Sequence, residues 1–225
     1  MKKYSEPPFW EDIIVEKDPI CQSLVHHFDD IKKDVLRIKK IANILFDVYP
    51  ASKLNTKKTE HYFIDHKTDW KIAPIFGGRY DVNARRRSSF FNLIKSDIIS
   101  FIVRLLCPKT LSLLQKYFKE KIILNAYFTQ LSPGSIIKPH YHPIENGVHR
   151  MNLHLGIICD PKCKITVGEK TKTWEEGKIL AFKNSGPYRH SVEHNGTHNR
   201  IILIVELDVE YLKQYGVYRG QIIKN

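Results

Sequence analysis

The sequence predicts an α+β protein, with helices first and an antiparallel β-sandwich or barrel in the second half. Two patterns carry that expectation. Apolar residues between Leu24 and Leu45 recur at three- and four-residue steps, the period of one helix face. From Ile122 onward, short β-branched and aromatic runs alternate with turn residues, and no helical period survives. Composition is permissive: of 225 residues, 42% are hydrophobic and 11% aromatic, enough to build a packed core. The length suits one globular unit, with residues 1–68 as a helical N-terminal elaboration on a β-rich domain spanning 69–225.

Taken in order, Asp18-Pro19 opens the helical region, Asp18 placed to cap and Pro19 to occupy the first helical position. Leu24, Val25, Phe28, Ile31, Val35, Ile38, Ile41, Ile44 and Leu45 form one stripe on a long helix or helix pair ending near Tyr49-Pro50. Residues 51–68 are polar and read as a loop, and Trp70 to Phe76 as a strand. Gly77-Gly78 and the basic Arg85-Arg86-Arg87 follow, then a second helical stretch from Ser88 to Glu120, broken at Cys107-Pro108. The β-rich half contains ILNAYFTQL, SIIKPHYH, MNLHLGII, KITV, TKTW, ILAF, HSVEH and NRIILIVEL, separated by turns such as Ser132-Pro133-Gly134 and Gly186-Pro187.

Bulk properties exclude several classes. The longest apolar run, Ile98 to Leu106, carries Arg104, stops at Pro108 and is too short to span a bilayer; a transmembrane segment is not expected. Two lysines near the N-terminus have no apolar stretch behind them, so no signal peptide is read and a cytoplasmic location is expected. Cys21, Cys107, Cys159 and Cys163 are too few and too uneven for a disulfide framework, and Cys159-x3-Cys163 lacks the second pair a zinc site needs. The formal charge of +12 suits an acidic partner, or reflects lysines spread over solvated faces. No nucleic-acid-binding motif sharpens the first alternative.

Histidine placement is the feature with chemical content. His140 and His142 lie two residues apart, on one side of an extended segment, while His190 begins a later strand. Arg150, Asn152 and His154 share one face of their strand by period two. That row fits a solvated face or the lining of a polar pocket, and its lack of Lys and Glu favours the pocket. Arg200 precedes Ile201 to Val205, a run apolar on both faces and therefore buried. A buried guanidinium needs an anion, and its forked donors match a carboxylate. His149, His194 and His198 read as surface or loop residues.

The segments YFTQLSPGSIIKPH (127–140), NLHLGI (152–157), CKI (163–165), TKTWEEGKILAF (171–182), His190 and NRIILIVEL (199–207) together resemble the aspartyl/asparaginyl β-hydroxylase family. The resemblance covers about a third of the chain and extends weakly upstream to DWKIAPIF (69–76). It implies a double-stranded β-helix, that is, a jelly-roll or cupin-like core. It also implies an Fe(II)- and 2-oxoglutarate-dependent dioxygenase that uses O2 to hydroxylate an unactivated C–H bond. Under it, His140 and His190 correspond to the two iron-ligating histidines and Arg200 to the arginine that pairs with the distal carboxylate of 2-oxoglutarate. Thr129 matches an assisting hydroxyl residue, His154 a cosubstrate-contacting histidine and Phe76 a pocket-lining aromatic residue. Asn152 stands where the family carries an arginine, with Arg150 as a possible substitute on the same face. His142 stands where a third, carboxylate ligand is usual for this fold; two histidines plus water are favoured over three histidines, Pro143 turning His142 away. TWEEGK is read as structure: Glu175-Glu176-Gly177 turning a hairpin, Trp174 packing the core.

The implied substrate is an Asp or Asn side chain of a peptide or protein, acidic in keeping with the charge, with a lipid acyl chain or a small molecule as alternatives. Two competing functions keep the barrel. One is a cupin-like metal-binding module without the chemistry. The other is a three-histidine dioxygenase using His140, His142 and His190 without 2-oxoglutarate.

Overall fold

The computed structural model describes residues 6–41, 47–48, 68–76, 90–142 and 147–216, side chains excepted at 41, 47–48 and 90–97. Ile44, Leu45, Gly77-Gly78, the arginine triplet, Pro143 and most of the 51–68 segment lie outside these residues. The N-terminal region is helical, as expected: α1 (Glu11–Ile14), α2 (Pro19–His26) and α3 (Phe28–Ile41). Asp18 caps α2, its Oδ1 accepting the Cys21 N–H at 2.8 Å, with Pro19 at the first turn. The long stripe is therefore a helix pair, broken at His27. It does not run as helix to Pro50, because Asp47–Val48 form a strand, β1, antiparallel to β2 (Trp70–Phe76). The open edge of β2 offers unpaired backbone groups that a short segment can satisfy, and helical periodicity is blind to such an edge.

The second helical stretch is α4 (Phe90–Leu106) and α5 (Pro108–Lys119), parted where the sequence places Cys107-Pro108. Asp34 of α3 ties the start of α5 to the N-terminal helices, its Oδ2 accepting the Thr110 N–H at 2.8 Å and hydroxyl at 2.9 Å. No single described helix is long and apolar enough to cross a membrane; Ile98–Leu106 and Pro108–Lys119 pass that test only together, bent by 116°.

The remaining strands are β3 (Ile123–Leu131), β4 (Ile136–His140), β5 (Arg150–Ile158), β6 (Cys163–Val167), β7 (Lys170–Thr173), β8 (Ile179–Lys183), β9 (His190–His194) and β10 (Arg200–Asp208), before a short α6 (Val209–Lys213). They form a six-stranded sheet, β1-β2-β3-β10-β5-β8, and a four-stranded sheet, β4-β9-β6-β7. Every ladder is antiparallel. From β3 to β10 the chain shuttles between the two sheets, with β6 and β7 as one hairpin. That winding is a double-stranded β-helix, and the protein has the expected α+β, cupin-like architecture.

Period two gives the large sheet two faces. Ile201, Leu203, Val205 and Leu207 of β10 and Met151, Leu153 and Leu155 of β5 pack with Ile14, Leu24, Ile31, Val35 and Ile38 of the helices in one core. Ile202, Ile204, Leu180 and Phe182 point the other way and meet Ile165, Val167 and Val192 of the small sheet. The described residues of the N-terminal helices and of the β-rich part thus share one core. The N-terminal segment also seals the β8 edge: the Trp10 N–H donates to the Ala181 carbonyl at 2.7 Å, and Phe9 lies edge-on to Phe182. Cys21, Cys107, Cys159 and Cys163 are free thiols, as composition suggested.

Candidate functional site

Strand register fixes the inner face of the large sheet as a series of rows. Asn125, Glu206, Asn152 and Phe182 are neighbours across β3, β10, β5 and β8. The next row is Tyr127, Ile204, His154 and Leu180, and below it lie Thr129, Ile202 and Gly156. Arg200 enters last, opposite Leu131. The Arg150-Asn152-His154 row therefore lines the space between the sheets, not the solvated outside.

The small sheet supplies the other wall. His140, ending β4, is the register partner of His190, beginning β9, so backbone pairing alone brings the two imidazoles together. Their rings lie 4.2 Å apart. His142 follows two residues on, and its N–H donates to the Asn184 carbonyl at 3.0 Å. Its ring is 5.3 Å from that of His140 and 5.9 Å from that of His190. One ring nitrogen from each of the three lies within 4.8 Å of the others. His142 is thus turned into the cluster, contrary to the expectation that Pro143 would carry it away; the peptide tie to Asn184 fixes its strand extension beside His190.

Burial holds His140 and His190 neutral. Burial lowers the His140 pKa to about 4, the neighbouring His142 adding to the effect against a hydrogen bond from the backbone. That bond joins His140 Nδ1 to the Lys138 carbonyl at 2.8 Å; Nδ1 must carry the hydrogen, which places the lone pair on Nε2. Burial also lowers the pKa of His190 and of His154 well below the usual range, and the neighbouring imidazoles at His190 and the Arg200 guanidinium at His154 add to the effect. Unfolded, these histidines take a proton near pH 6.5, whereas folded they stay neutral to far lower pH. Their contribution to stability is full above about pH 6.5 and is lost as pH falls towards about 4, the His140 value. Chemical denaturation of metal-free protein between pH 7 and pH 5 should therefore show stability falling ever more steeply, approaching about 1.4 kcal/mol per pH unit below about pH 6 for each such histidine, with His154→Gln visibly flattening the slope.

From the cluster a chain of ring contacts leads inward. Phe182 lies 5.0 Å from His190 and 4.9 Å from His154, and His154 is near-parallel to Trp174 at 6.1 Å. The Arg200 guanidinium carbon sits 4.6 Å over the Trp174 ring. Arg200 is 2% exposed, and among the described residues it has no ion pair with a carboxylate and its Nε has no hydrogen-bond partner. Burial lowers its pKa, and the groups opposing that shift are Cys163, Cys159 and Tyr127, none an ionised carboxylate. Both ring nitrogens of His154 and Oδ1 of Asn152 also lack partners among the described residues, although both residues are buried. Several orphaned polar groups around one space describe a site built for a polar ligand.

Other expected residues fall as follows. Thr129 is buried on this face, its hydroxyl oxygen accepting the Trp70 indole N–H, which leaves its own hydrogen to donate. Arg150 pairs with Glu206 at 3.4 Å on this inner face, and its buried Nε has no hydrogen-bond partner among the described residues. Phe76 is the misplacement: it lies in the helix-side core, stacked 4.5 Å from Phe118 of α5. The ladder slips between Pro74 and Phe76, and that one-residue irregularity moves the ring to the opposite face. His194, expected near the surface, is fully buried, its Nε2–H donating to the His198 carbonyl at 3.0 Å. Glu206 was missed. Its buried carboxylate accepts from Asn125 Nδ2 at 2.7 Å and the Tyr127 hydroxyl at 3.2 Å, besides Arg150. The signal was present, since Arg200, Ile202, Ile204 and Glu206 share one face by period two.

Residues 26–209 match the family model described as Aspartyl/Asparaginyl beta-hydroxylase. Among curated proteins, the chain is 34% identical over 103 residues to the aspartyl/asparaginyl beta-hydroxylase of Homo sapiens, covering 44% of this chain and 13% of that protein. It is 32% identical over 107 residues to aspartate beta-hydroxylase domain-containing protein 2 of Xenopus tropicalis, covering 45% of this chain and 28% of the relative. The chain thus matches less than a third of the length of these relatives. Similar solved structures include a predicted oxalate decarboxylase from Thermotoga maritima, at TM-score 0.32 and 18% identity over 42% of this chain and 73% of that one. The Cnp3 cupin domain of Schizosaccharomyces pombe gives TM-score 0.31 and 13% identity over 44% and 66% of the two chains.

Proposed function

We propose, from the premise that the chain belongs to the aspartyl/asparaginyl β-hydroxylase family, that it is an Fe(II)- and 2-oxoglutarate-dependent hydroxylase. The observation that carries the keto-acid half is Arg200: a guanidinium buried between the sheets, without an ion pair to a described carboxylate, on the same inner space as three clustered imidazoles. A diacid bound with one end at the histidines would bring the missing negative charge to the other end.

The donor set fits a borderline transition-metal ion: imidazole suits Fe(II), and ligands drawn from one end of two strands leave coordination positions for other groups. His140, His190 and His142 would hold the ion. When bound, iron supplies the redox chemistry with O2 and the keto acid that converts a C–H bond to C–OH. The protein's own residues do the rest. Lys138 fixes the His140 tautomer through its carbonyl. Arg200, with the Thr129 hydroxyl as a further donor, receives the distal carboxylate. Phe182, packed against His190 and His154, keeps the passage dry, which strengthens every charge interaction inside it. The reactive C–H belongs on this reading to an Asp or Asn side chain of a peptide or protein.

The convergence of three histidines favours one second reading, a dioxygenase that needs no keto acid. Oxygen uptake with succinate analysis separates the two. The expected result is succinate formed stoichiometrically with oxygen consumed, only when 2-oxoglutarate is present, together with a mass gain of about sixteen daltons on a hydroxylated peptide. Oxygen uptake by iron-loaded protein that ignores 2-oxoglutarate would transfer the assignment to the three-histidine reading.

A further inference from the structure

The TWEEGK segment does not turn the expected hairpin: it carries the chain from β7 in the small sheet to β8 in the large one, two strands that do not pair. Its Trp174 follows β7, is 2% exposed, and presents its indole face to Arg200 at 4.6 Å and to His154 at 6.1 Å with only 17° between the rings. The turn that holds it is unusually tight against the sheet. Glu176 bridges to Gly156, and the Gly177 N–H donates to the Gly156 carbonyl at 3.0 Å. A Cβ on Gly156 would meet the Glu175 carbonyl oxygen at 2.2 Å, so only glycine lets this turn approach. Gly177 takes φ of 75°, a left-handed conformation that suits glycine. A backbone held this closely fixes the tryptophan as rigidly as it does the strand.

Arg200, in contrast, is a long side chain with many rotamers and no ion pair among the described residues to choose between them. The aromatic face beneath it is what selects one. We propose that Trp174 is the positioning residue for diacid recognition: it stacks under the Arg200 guanidinium and holds its fork where the distal carboxylate of the keto acid must arrive. A cation over a tryptophan face in a water-poor site is stabilised by the ring quadrupole, and an ordered fork loses less entropy when it binds. The indole N–H of Trp174 has no acceptor among the described residues, and it lies in the same space as the unpartnered atoms of His154 and Arg200. The proposal rests on the 2-oxoglutarate reading and deepens it.

The test compares two keto acids in Mn(II)-loaded protein by isothermal titration calorimetry: 2-oxoglutarate, which has the distal carboxylate, and 2-oxobutyrate, which does not. Unmodified protein should prefer the diacid strongly. Trp174→Met, of comparable bulk but without a ring, should lose about ten- to thirtyfold of that preference, with Mn(II) affinity and 2-oxobutyrate affinity unchanged. Trp174→Phe, which keeps a ring face, should retain most of it. Should the Met variant fail to fold, 5-fluorotryptophan NMR on the unmodified sequence replaces it, with Trp174 assigned by its absence in Trp174→Phe. Its resonance should move on adding 2-oxoglutarate and stay put with 2-oxobutyrate. Unmodified protein that shows no preference for the diacid would sink the underlying reading and this proposal together. A preference that survives intact in Trp174→Met, or a Trp174 resonance indifferent to the diacid, would sink the proposal alone.

Discussion

His190→Ala is expected to give a folded protein without metal and without 2-oxoglutarate-dependent turnover. His190 is the most enclosed of the three clustered histidines, 7% exposed, with Phe182 against its ring and His140 as its register partner. No described residue stands ready to replace its nitrogen. Losing an outer partner of a metal ligand typically costs ten- to hundredfold in metal affinity, and losing the ligand itself should exceed that, so a drop of at least about a hundredfold is expected. Fold should survive, because the histidine is held neutral and its removal leaves no buried charge unpaired. Anaerobic Fe(II) and 2-oxoglutarate should give a weak visible charge-transfer band with the unmodified protein and none with the variant, whose circular dichroism stays native. His142→Ala should behave differently. It lies beyond the end of β4 and is partly exposed, so its loss should weaken the metal without abolishing binding. Equal effects at 190 and 142 would mean that the cluster is not anchored by the His140–His190 pair.

Much of this centre was legible before any coordinates. Alternation placed Arg150, Asn152 and His154 on one face and Arg200 inside a buried strand, because period two and an apolar flank are local properties. Nothing local could join His140 to His190. They are fifty residues apart, and their meeting is a matter of register between β4 and β9 that only the assembled sheets set. Resemblance supplied that link. Where local reasoning failed, the failures share one cause. Phe76 was moved to the helix side by a one-residue slip in the β2–β3 ladder, and a slip of one reverses every side chain beyond it. His142 was judged by the proline after it, whereas a backbone hydrogen bond to Asn184 decides where it lies. Asp47–Val48 pair with β2 although the stripe before them is helical, because a neighbouring edge outweighs a weak local preference. Trp174 was correctly read as buried, but burial is silent about what lies over the ring.

Replacing Arg200 with methionine should make the protein more stable and useless for its cosubstrate. Without ligand, Arg200 is a cation removed from water with no described carboxylate to compensate it, offset only in part by the Trp174 face. Methionine fills similar space with no charge to desolvate. A gain of about 1–2 kcal/mol is a reasonable scale for removing such a frustrated group, and in a chain of this length each kcal/mol moves Tm by about 2–4 °C. The opposite holds once the diacid is present. Breaking a buried charge pair by removing one partner costs about 3–5 kcal/mol, so 2-oxoglutarate affinity should fall by a factor of roughly a hundred to several thousand. At a ligand concentration one hundred times its Kd, the unmodified protein gains about 2.7 kcal/mol from binding, and the variant should gain about 0.4 kcal/mol or less. Thermal melts with and without 2-oxoglutarate, both with Mn(II), read the two effects in one experiment: the variant melts higher alone, and the order reverses with the diacid. A structural arginine would behave in the contrary way, since its replacement would lower Tm in both conditions and leave the ligand-induced rise intact. The sign of the ligand-free change therefore separates a residue kept for binding from one kept for the fold.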